Sequence, residues 1–203
     1  MLRTGLLALL VAATVQDAAV ENPKYKLWCG FKPNSSVTYE QPWGKDGKRQ
    51  EIVKLVEISS EKAVLETLII ENDFKFPLFQ TVIPSMLNAD HPEYDFARNP
   101  DKGEQEFPGV GGGRTKSFWR KSAEGDEEID VAGKKVKCHW VKMDYELKHT
   151  VRKPACEKSG NKTWYSAEIP GMVARLEMIR EMPEEKPPQT LVVTRITKEW
   201  KKE

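Results

Sequence analysis

The sequence predicts a mostly β protein built on a single curved antiparallel sheet of about ten strands. Apolar residues recur at every second position along successive segments, as they do on strands with one buried face. Turn-forming residues separate these segments at short intervals. No segment shows the apolar spacing of an amphipathic helix. A half-barrel (clam-like) sheet around an apolar cavity and a two-layered β-sandwich both fit this pattern.

Residues 1–19 have the order of a secretory signal peptide. Arg3 precedes an apolar run from Leu6 to Val15, and the small residues Ala18 and Ala19 follow. The run is shorter than the about 20 apolar residues that span a bilayer. We therefore expect cleavage after Ala19 and a secreted or periplasmic protein that is not transmembrane. A frayed or buried N-terminal helix is the alternative.

The remaining residues, 20–203, have a length that suits one β domain. The 203-residue chain carries 32 Lys and Arg against 31 Asp and Glu, a net charge of +1. Because neither sign dominates, the charge balance gives no reason to expect a nucleic-acid partner.

The expected strands follow one another along the chain. They lie around 37–39 and at 50–59, 62–71, 74–83, 114–121, 128–131, 134–147, 163–169, 173–181 and 189–197. Pro77 makes the fourth of them an edge or bent strand. Between 84 and 113, four prolines and a run of glycines predict a long surface excursion without regular strands, which could act as a lid.

The last strong hairpin is centred on Ile169-Pro170-Gly171-Met172, a sequence that favours a type II turn. If Ile169 faces Met172, Tyr165 lies opposite Leu176, and Thr163 lies opposite Met178. These residues would then share the buried face, with Trp164 on the other.

Three cysteines allow at most one internal disulfide in an exported protein. Cys138 and Cys156 are the expected pair because they lie on either side of one loop. Cys29 is then either buried or free.

No residue pattern predicts catalysis. Cys138 and His139 are neighbours on a strand and therefore point to opposite faces. The acidic segment 124–128 is interpreted as a charged turn, and 90–95 as a solvated loop, because neither has the spacing of a metal site. We expect no enzymatic activity, no cofactor and no metal ion.

The aromatic content suggests either ordinary packing or an apolar groove inside the sheet. For the groove, the candidate ligand-binding residues are Trp119, Trp140, Tyr165, Leu176 and Met178.

Three segments carry a resemblance to known proteins: residues 29–39 (CGFKPNSSVTY), 133–138 (GKKVKC) and 163–171 (TWYSAEIPG). They resemble small exported proteins of uncharacterised function from planctomycete-type bacteria. The run of strands with a tryptophan-bearing hairpin is also similar to the periplasmic lipoprotein-carrier (LolA/LolB-like) fold. That resemblance implies a half-barrel around an apolar cavity and supplies no catalytic residue.

The expected function is binding, with a lipid or other apolar ligand, a lipoprotein or another envelope protein as partner. A structural or protein-interaction module of the cell envelope without a small-molecule site is the main alternative, and a hydrolase is the third.

Overall fold

The computed structural model describes residues 18–44, 46–109, 113–150, 156–182 and 189–203. The predicted signal peptide therefore lies, up to residue 17, outside the described residues, and its cleavage stays a prediction.

Thirteen strands and two short helices make up the described chain. The helices are α1 (Pro23–Lys26) and α2 (Tyr94–Arg98). The strands are β1 (Val20–Glu21), β2 (Ser36–Trp43), β3 (Gly47–Ile58), β4 (Lys62–Glu71), β5 (Phe74–Lys75), β6 (Phe79–Pro84), β7 (Met86–Leu87), β8 (Lys102–Pro108), β9 (Arg114–Val131), β10 (Lys134–His149), β11 (Cys156–Tyr165), β12 (Val173–Met182) and β13 (Gln189–Lys201).

Eleven strands form one antiparallel sheet. Ten of them follow the order β5-β4-β3-β2-β13-β12-β11-β10-β9-β8, and β6 pairs with β4 along the same edge as β5. Within the described ranges the two ends of this order do not pair, so the sheet is open. The prediction of one large antiparallel sheet is confirmed. Strands β1 and β7 form a separate pair.

One face of the sheet, here called the inner face, carries Val37, Tyr39 and Leu55. The chain around α1 packs on this face through Trp28 and Phe31. Strand pairing continues the same face through β13, β12 and β11 to β10 and β9. The main cluster of buried side chains is Trp28, Phe31, Val37, Tyr39, Val53, Leu55, Ala63, Leu65, Ile83, Val131, Val136, Cys138, Trp164, Ile169 and Ala174.

The predicted turn is present, but the predicted register of its hairpin is wrong. The N–H of Met172 donates to the carbonyl of Ile169 at 2.7 Å, and Gly171 has a φ of +73°. The strands, however, end at Tyr165 and resume at Val173, so seven residues connect them. Leu176 lies opposite Thr163 instead of Tyr165, because the turn sits inside a longer loop.

The buried face of that hairpin is also different from the prediction. Trp164 is 4% exposed, whereas Leu176 is half-buried and Met178 is 38% exposed. The hairpin face with more apolar side chains is thus not the face whose side chains are more deeply buried.

The acidic segment 124–128 is not a turn. It lies inside β9 and pairs with β10 over its whole length, so two predicted strands are one continuous strand of 18 residues. The excursion at 84–113 is likewise more regular than predicted, because it contains β7, α2 and β8.

The predicted disulfide is wrong: all three cysteines are free thiols. Cys138 lies opposite Glu127, and Cys156 lies opposite Lys148. Since Cys138 and Lys148 are separated by about 33 Å of extended strand, the two sulfurs cannot meet. Burial raises the pKa of Cys138 to about 11, so this thiol stays protonated and unreactive at neutral pH. Cys29 is exposed.

Candidate functional site

A cavity of about 970 Å³ lies between the inner face and two segments of chain that cover it. Its floor comes from the sheet, with Trp119, Tyr145 and Tyr165 as the large side chains. Its cover, here called the lid, consists of residues 18–27 and 84–98. Leu27 and Phe96 are the lid's large apolar side chains in the lining.

The two parts of the lid are joined to each other. Val20 pairs with Leu87 in the separate two-stranded ribbon. Asn22 donates its backbone N–H to the carbonyl of Ser85 at 2.8 Å and its side-chain amide to that of Pro84 at 2.9 Å. The Tyr94 hydroxyl donates to the carbonyl of Ala18 at 2.9 Å. The lid is therefore one unit made of two distant stretches of sequence.

The lid is also attached to the sheet around the cavity. The Tyr25 hydroxyl donates to the carbonyl of Ser59 at 2.6 Å, and Gln105 donates to that of Pro92 at 2.8 Å. These contacts lie on opposite sides of the sheet order, since Ser59 follows β3 and Gln105 belongs to β8. The lid therefore bridges the inner face from one half of the sheet to the other.

Trp119 joins the lid to the floor. Its indole N–H donates to the carbonyl of Asn99 at 2.8 Å, and its ring centroid lies 5.6 Å from that of Phe96. The ring also lies directly against Gly103 of the neighbouring strand, where any Cβ would collide with it. A glycine at this position of β8 is thus required for the observed orientation of Trp119.

Tyr165 and Met172 line the cavity from the two ends of the loop that connects β11 to β12. Gly171 fixes this loop against the core. A Cβ on Gly171 would lie 2.8 Å from the ring of Trp28 and 3.1 Å from the hydroxyl of Tyr39, and the positive φ there also favours glycine. The turn recognised in the sequence therefore positions part of the cavity wall.

The floor is uncharged near its centre. Burial raises the pKa of both Tyr145 and Tyr165, so both phenols stay protonated at neutral pH. The Tyr145 hydroxyl accepts a hydrogen bond from the side-chain amide of Asn161 at 3.2 Å. An apolar group entering the cavity meets aromatic rings without having to displace an ionised group there.

Charged side chains lie at the margins. Lys24 and Glu93, one from each part of the lid, form an ion pair at 2.5 Å. Lys26, Lys137 and His139 are the other ionisable lining residues with basic side chains. Within the described ranges, no three His, Cys, Asp or Glu side chains lie close enough to hold a metal ion.

The structure brings together two of the five predicted ligand-binding residues. Trp119 and Tyr165 line the cavity. Leu176 and Met178 lie on the inner face in β12, but neither residue lines the cavity. Trp140 lies on the opposite face, here called the outer face, because it pairs with Trp164 and Gly125.

On the outer face Trp140 belongs to a packed cluster of aromatic and charged groups. The Lys162 ammonium lies 4.0 Å from the ring centroid of Trp140 and 4.3 Å from that of Trp164. The Trp164 indole donates to Glu127, and this hydrogen bond, followed by that from Lys162, lowers the pKa of Glu127. Since Lys162 already occupies the space between the two rings, this cluster has a structural role.

Sequence reasoning missed lining residues from the lid, from a loop and from β10. Leu27, Phe96, Tyr145, Met172 and Lys137 line the cavity but were not predicted to. Tyr145 and Lys137 had a usable signal, since both lie on a predicted strand at the same alternation. The other three depend on how distant segments pack.

Comparison with protein-family models gives no match, and comparison with curated proteins gives none either. Among solved structures, a candidate lipoprotein from Parabacteroides distasonis matches with a TM-score of 0.50 at 10% identity, over 92% of this chain and 100% of the other. At that identity the likeness shows the fold alone.

Two further structures match less closely. A candidate exported protein with a YmcC-like fold from Bacteroides fragilis gives a TM-score of 0.43 at 12% identity, over 91% of this chain and 100% of that one. The hypothetical lipoprotein YmcC from Escherichia coli gives 0.37 at 14% identity, over 84% and 87%. Neither helix in the described residues has the length and apolar character needed to cross a membrane.

Proposed function

We propose that this protein is an exported, non-enzymatic binding protein that holds a lipid or another apolar ligand in the cavity beneath its lid. The observation that carries the proposal is the cavity itself: about 970 Å³, with an aromatic floor and an apolar cover. Ligand sites are typically concave, mostly apolar and about 300–1,000 Å³ in volume. The lid–sheet contacts keep this space open, because they bridge the inner face instead of filling it.

The experiment is a fluorescence titration with N-phenylnaphthylamine, an uncharged apolar dye. Ala167 is exposed and lines the cavity, so Ala167→Trp should fill its margin without disturbing the core. We expect this substitution to weaken dye binding about tenfold or more, or ~1.4 kcal/mol.

The matched control is Ala123→Trp. Ala123 is also exposed, but it lies opposite Lys142 on the outer face, away from the cavity. It should bind the dye as the wild type does. Absence of dye binding by the wild type, or equal binding by both variants and the wild type, would contradict the proposed site.

The alternative function, a protein-interaction module, has its own supporting observation. At the β5–β6 edge of the sheet, Phe74, Leu78 and Val82 are 64%, 57% and 60% exposed. Among the strands that the structure describes, β6 pairs only with β4, so its other side offers backbone groups that none of these strands pairs with. Self-association of a second copy at this edge, measured by sedimentation at rising protein concentration together with no dye binding, would favour this function over ligand binding.

A further inference from the structure

The basic side chains at the margin of the cavity lie beside carboxylates. The neighbouring pairs are Lys24 with Glu93, Lys26 with Glu21, Lys137 with Glu128, and His139 with Asp126. Lys137 and Glu128 lie directly opposite each other on β10 and β9, and the side chains of the other three pairs are in contact. Because each basic group already has an acidic neighbour, the margin gives no advantage to a ligand with a charged head group.

The floor of the cavity carries a hydrogen-bond donor instead. Tyr145 lines the cavity, and its hydroxyl oxygen accepts a hydrogen bond from the side-chain amide of Asn161 at 3.2 Å. Burial raises the pKa of Tyr145, so the phenol keeps its proton at neutral pH. Among the residues that the structure describes, no acceptor takes up that proton. Because an unsatisfied buried donor costs free energy, an oxygen atom of a ligand would bind favourably here.

Tyr165 supplies a second donor to the cavity. Burial raises the pKa of Tyr165, and a hydrogen bond with the Thr163 side chain opposes this rise. A hydrogen bond lowers the pKa of a phenol when the phenolic oxygen accepts it. Thr163 is therefore the donor in this contact, and within the described residues the O–H of Tyr165 has no other partner.

The two phenolic hydroxyls lie over the same part of the floor. Their partners, Asn161 and Thr163, are two positions apart on β11, so they face the same side of the sheet and lie about 7 Å apart. Apolar lining residues flank this pair of donors, with Trp119 and Phe96 toward β8 and Met172 in the loop after β11. The middle of the cavity thus offers hydrogen-bond donors, whereas its two ends offer apolar contacts.

From this arrangement we infer that the ligand is an uncharged ester, whose carbonyl oxygen accepts hydrogen bonds from Tyr145 and Tyr165 while its two apolar arms extend toward Trp119 and Met172. The inference rests on the proposed function and adds the chemistry of the ligand. A carbonyl oxygen has two lone pairs and can accept from both phenols. An ester brings an acceptor without a donor, whereas an amide also brings an N–H that needs its own acceptor, and a carboxylate would have to be desolvated.

The test measures how three isomers displace N-phenylnaphthylamine at neutral pH, each below its solubility limit and micelle-forming concentration. They are hexyl hexanoate, with a central ester, methyl undecanoate, with a terminal ester, and dodecanoic acid, which is ionised at this pH. Hexyl hexanoate should compete at about three- to tenfold lower concentration than methyl undecanoate, because only its ester is flanked by two long apolar arms. Dodecanoate should compete least of the three. 1-Chlorododecane serves as a chain of similar length without an oxygen acceptor.

Tyr145→Phe removes the O–H and keeps the aromatic ring. It should weaken competition by hexyl hexanoate about three- to tenfold and leave 1-chlorododecane within about twofold of its wild-type value. Each compound is compared with itself in the two proteins, so differences in solubility cancel. Tyr165→Phe should act in the same direction. Tyr39→Phe is the matched control, because Tyr39 is a buried phenol, 5% exposed, that does not line the cavity, and it should leave all four compounds unchanged.

Failure of the inference can be told apart from failure of the proposed function. If the wild type binds no dye, the proposed function fails, and the inference fails with it. If the dye binds but dodecanoate competes as well as the esters, or Tyr145→Phe weakens all four compounds alike or none of them, the inference alone is overturned.

Discussion

Trp164 shows at the level of a single residue how a buried aromatic ring on the outer face combines apolar packing with charged neighbours. Its ring is contacted by the Lys162 ammonium at 4.3 Å and the Arg175 guanidinium at 5.0 Å from the centroid. Its indole donates to Glu127. A cation over the face of an aromatic ring is attracted to it. Trp164 is also a member of the main hydrophobic cluster, together with Val136 and Cys138, and its side chain is 4% exposed.

This burial predicts that Trp164→Ala lowers the free energy of unfolding by about 3–5 kcal/mol, as other truncations of buried aromatic residues do. Leu176→Ala should cost about 1–2 kcal/mol, because Leu176 is only half-buried. Urea unfolding with an unchanged m-value measures both. Trp164→Phe serves as the control that keeps an aromatic ring and loses only the indole donor, so its cost should be smaller. An equal cost at Trp164 and Leu176 would contradict the observed burial.

The same pair of residues shows what the sequence could and could not predict. The type II turn was predictable, because Pro170 and Gly171 have strong local preferences. The register was not, because it depends on a seven-residue connection and a bulge beside Tyr165. Nor could the apolar pattern reveal that Lys162 and Arg175 would cover Trp164. Trp119 and Tyr165 were found because alternation along a strand is a local property.

At the level of whole elements, the lid depends on short pieces that would not be stable alone. Helix α1 has four residues, and helices this short gain their stability from tertiary contacts. Asn22 caps α1 by accepting a hydrogen bond from the backbone N–H of Lys24 at 2.9 Å, while its amide reaches Pro84. Asn22 itself is 2% exposed. The Asn22 side chain thus caps the helix in one part of the lid and links that part to the other.

We therefore expect Asn22→Ala to loosen the lid as a unit. Loss of the cap and of the link to Pro84 should lower the free energy of unfolding by about 1–2 kcal/mol. Hydrogen exchange should become faster at both 18–27 and 84–98, although residues 28–83 separate them in the sequence, and stay unchanged in β3 and β10. Glu21→Gln, which removes only the exposed ion pair with Lys26, is the control. Faster exchange confined to 18–27 would show that the two parts of the lid are not coupled.

The segment 84–113 shows why a strand can be missed when only the sequence is known. Its prolines predicted a surface excursion without regular strands, for which a lid function was suggested, whereas β8 belongs to the main sheet. Strand β8 was missed because its sequence, KGEQEFP, has no apolar alternation. An edge strand needs only one hydrogen-bonded neighbour, and its exposed charges reduce unwanted pairing with other chains. Polar edge strands of this kind are recognised only once the neighbouring strand is known.

At the scale of the whole molecule, the order of the large sheet places its first and last strands side by side. Strand β13, the last, lies between β12 and β2, the first strand of the sheet. Alternation predicted most of the strands individually, but their order requires a pairing between residues 36–40 and 196–201 that no local pattern encodes. A fold that depends on such distant pairing closes its sheet late and slowly.

This order predicts that the final strand is indispensable. Removing residues 189–203 would leave β2 and β12 without their shared neighbour and expose Val37, which is 1% exposed and lies opposite Trp200. The hydrogen bonds of β13 to β2 and to β12 would be lost, and these bonds join the two halves of the sheet. The halves share few other strand contacts. We expect the shortened protein to lose the cooperative urea transition and to bind apolar dye non-specifically.

Removing only Lys202 and Glu203, which lie beyond β13, should leave the free energy of unfolding within about 1 kcal/mol of that of the full chain. Circular dichroism and urea titration of the two truncated proteins decide the matter, and a cooperative transition in the protein lacking residues 189–203 would show that the sheet does not depend on this central strand.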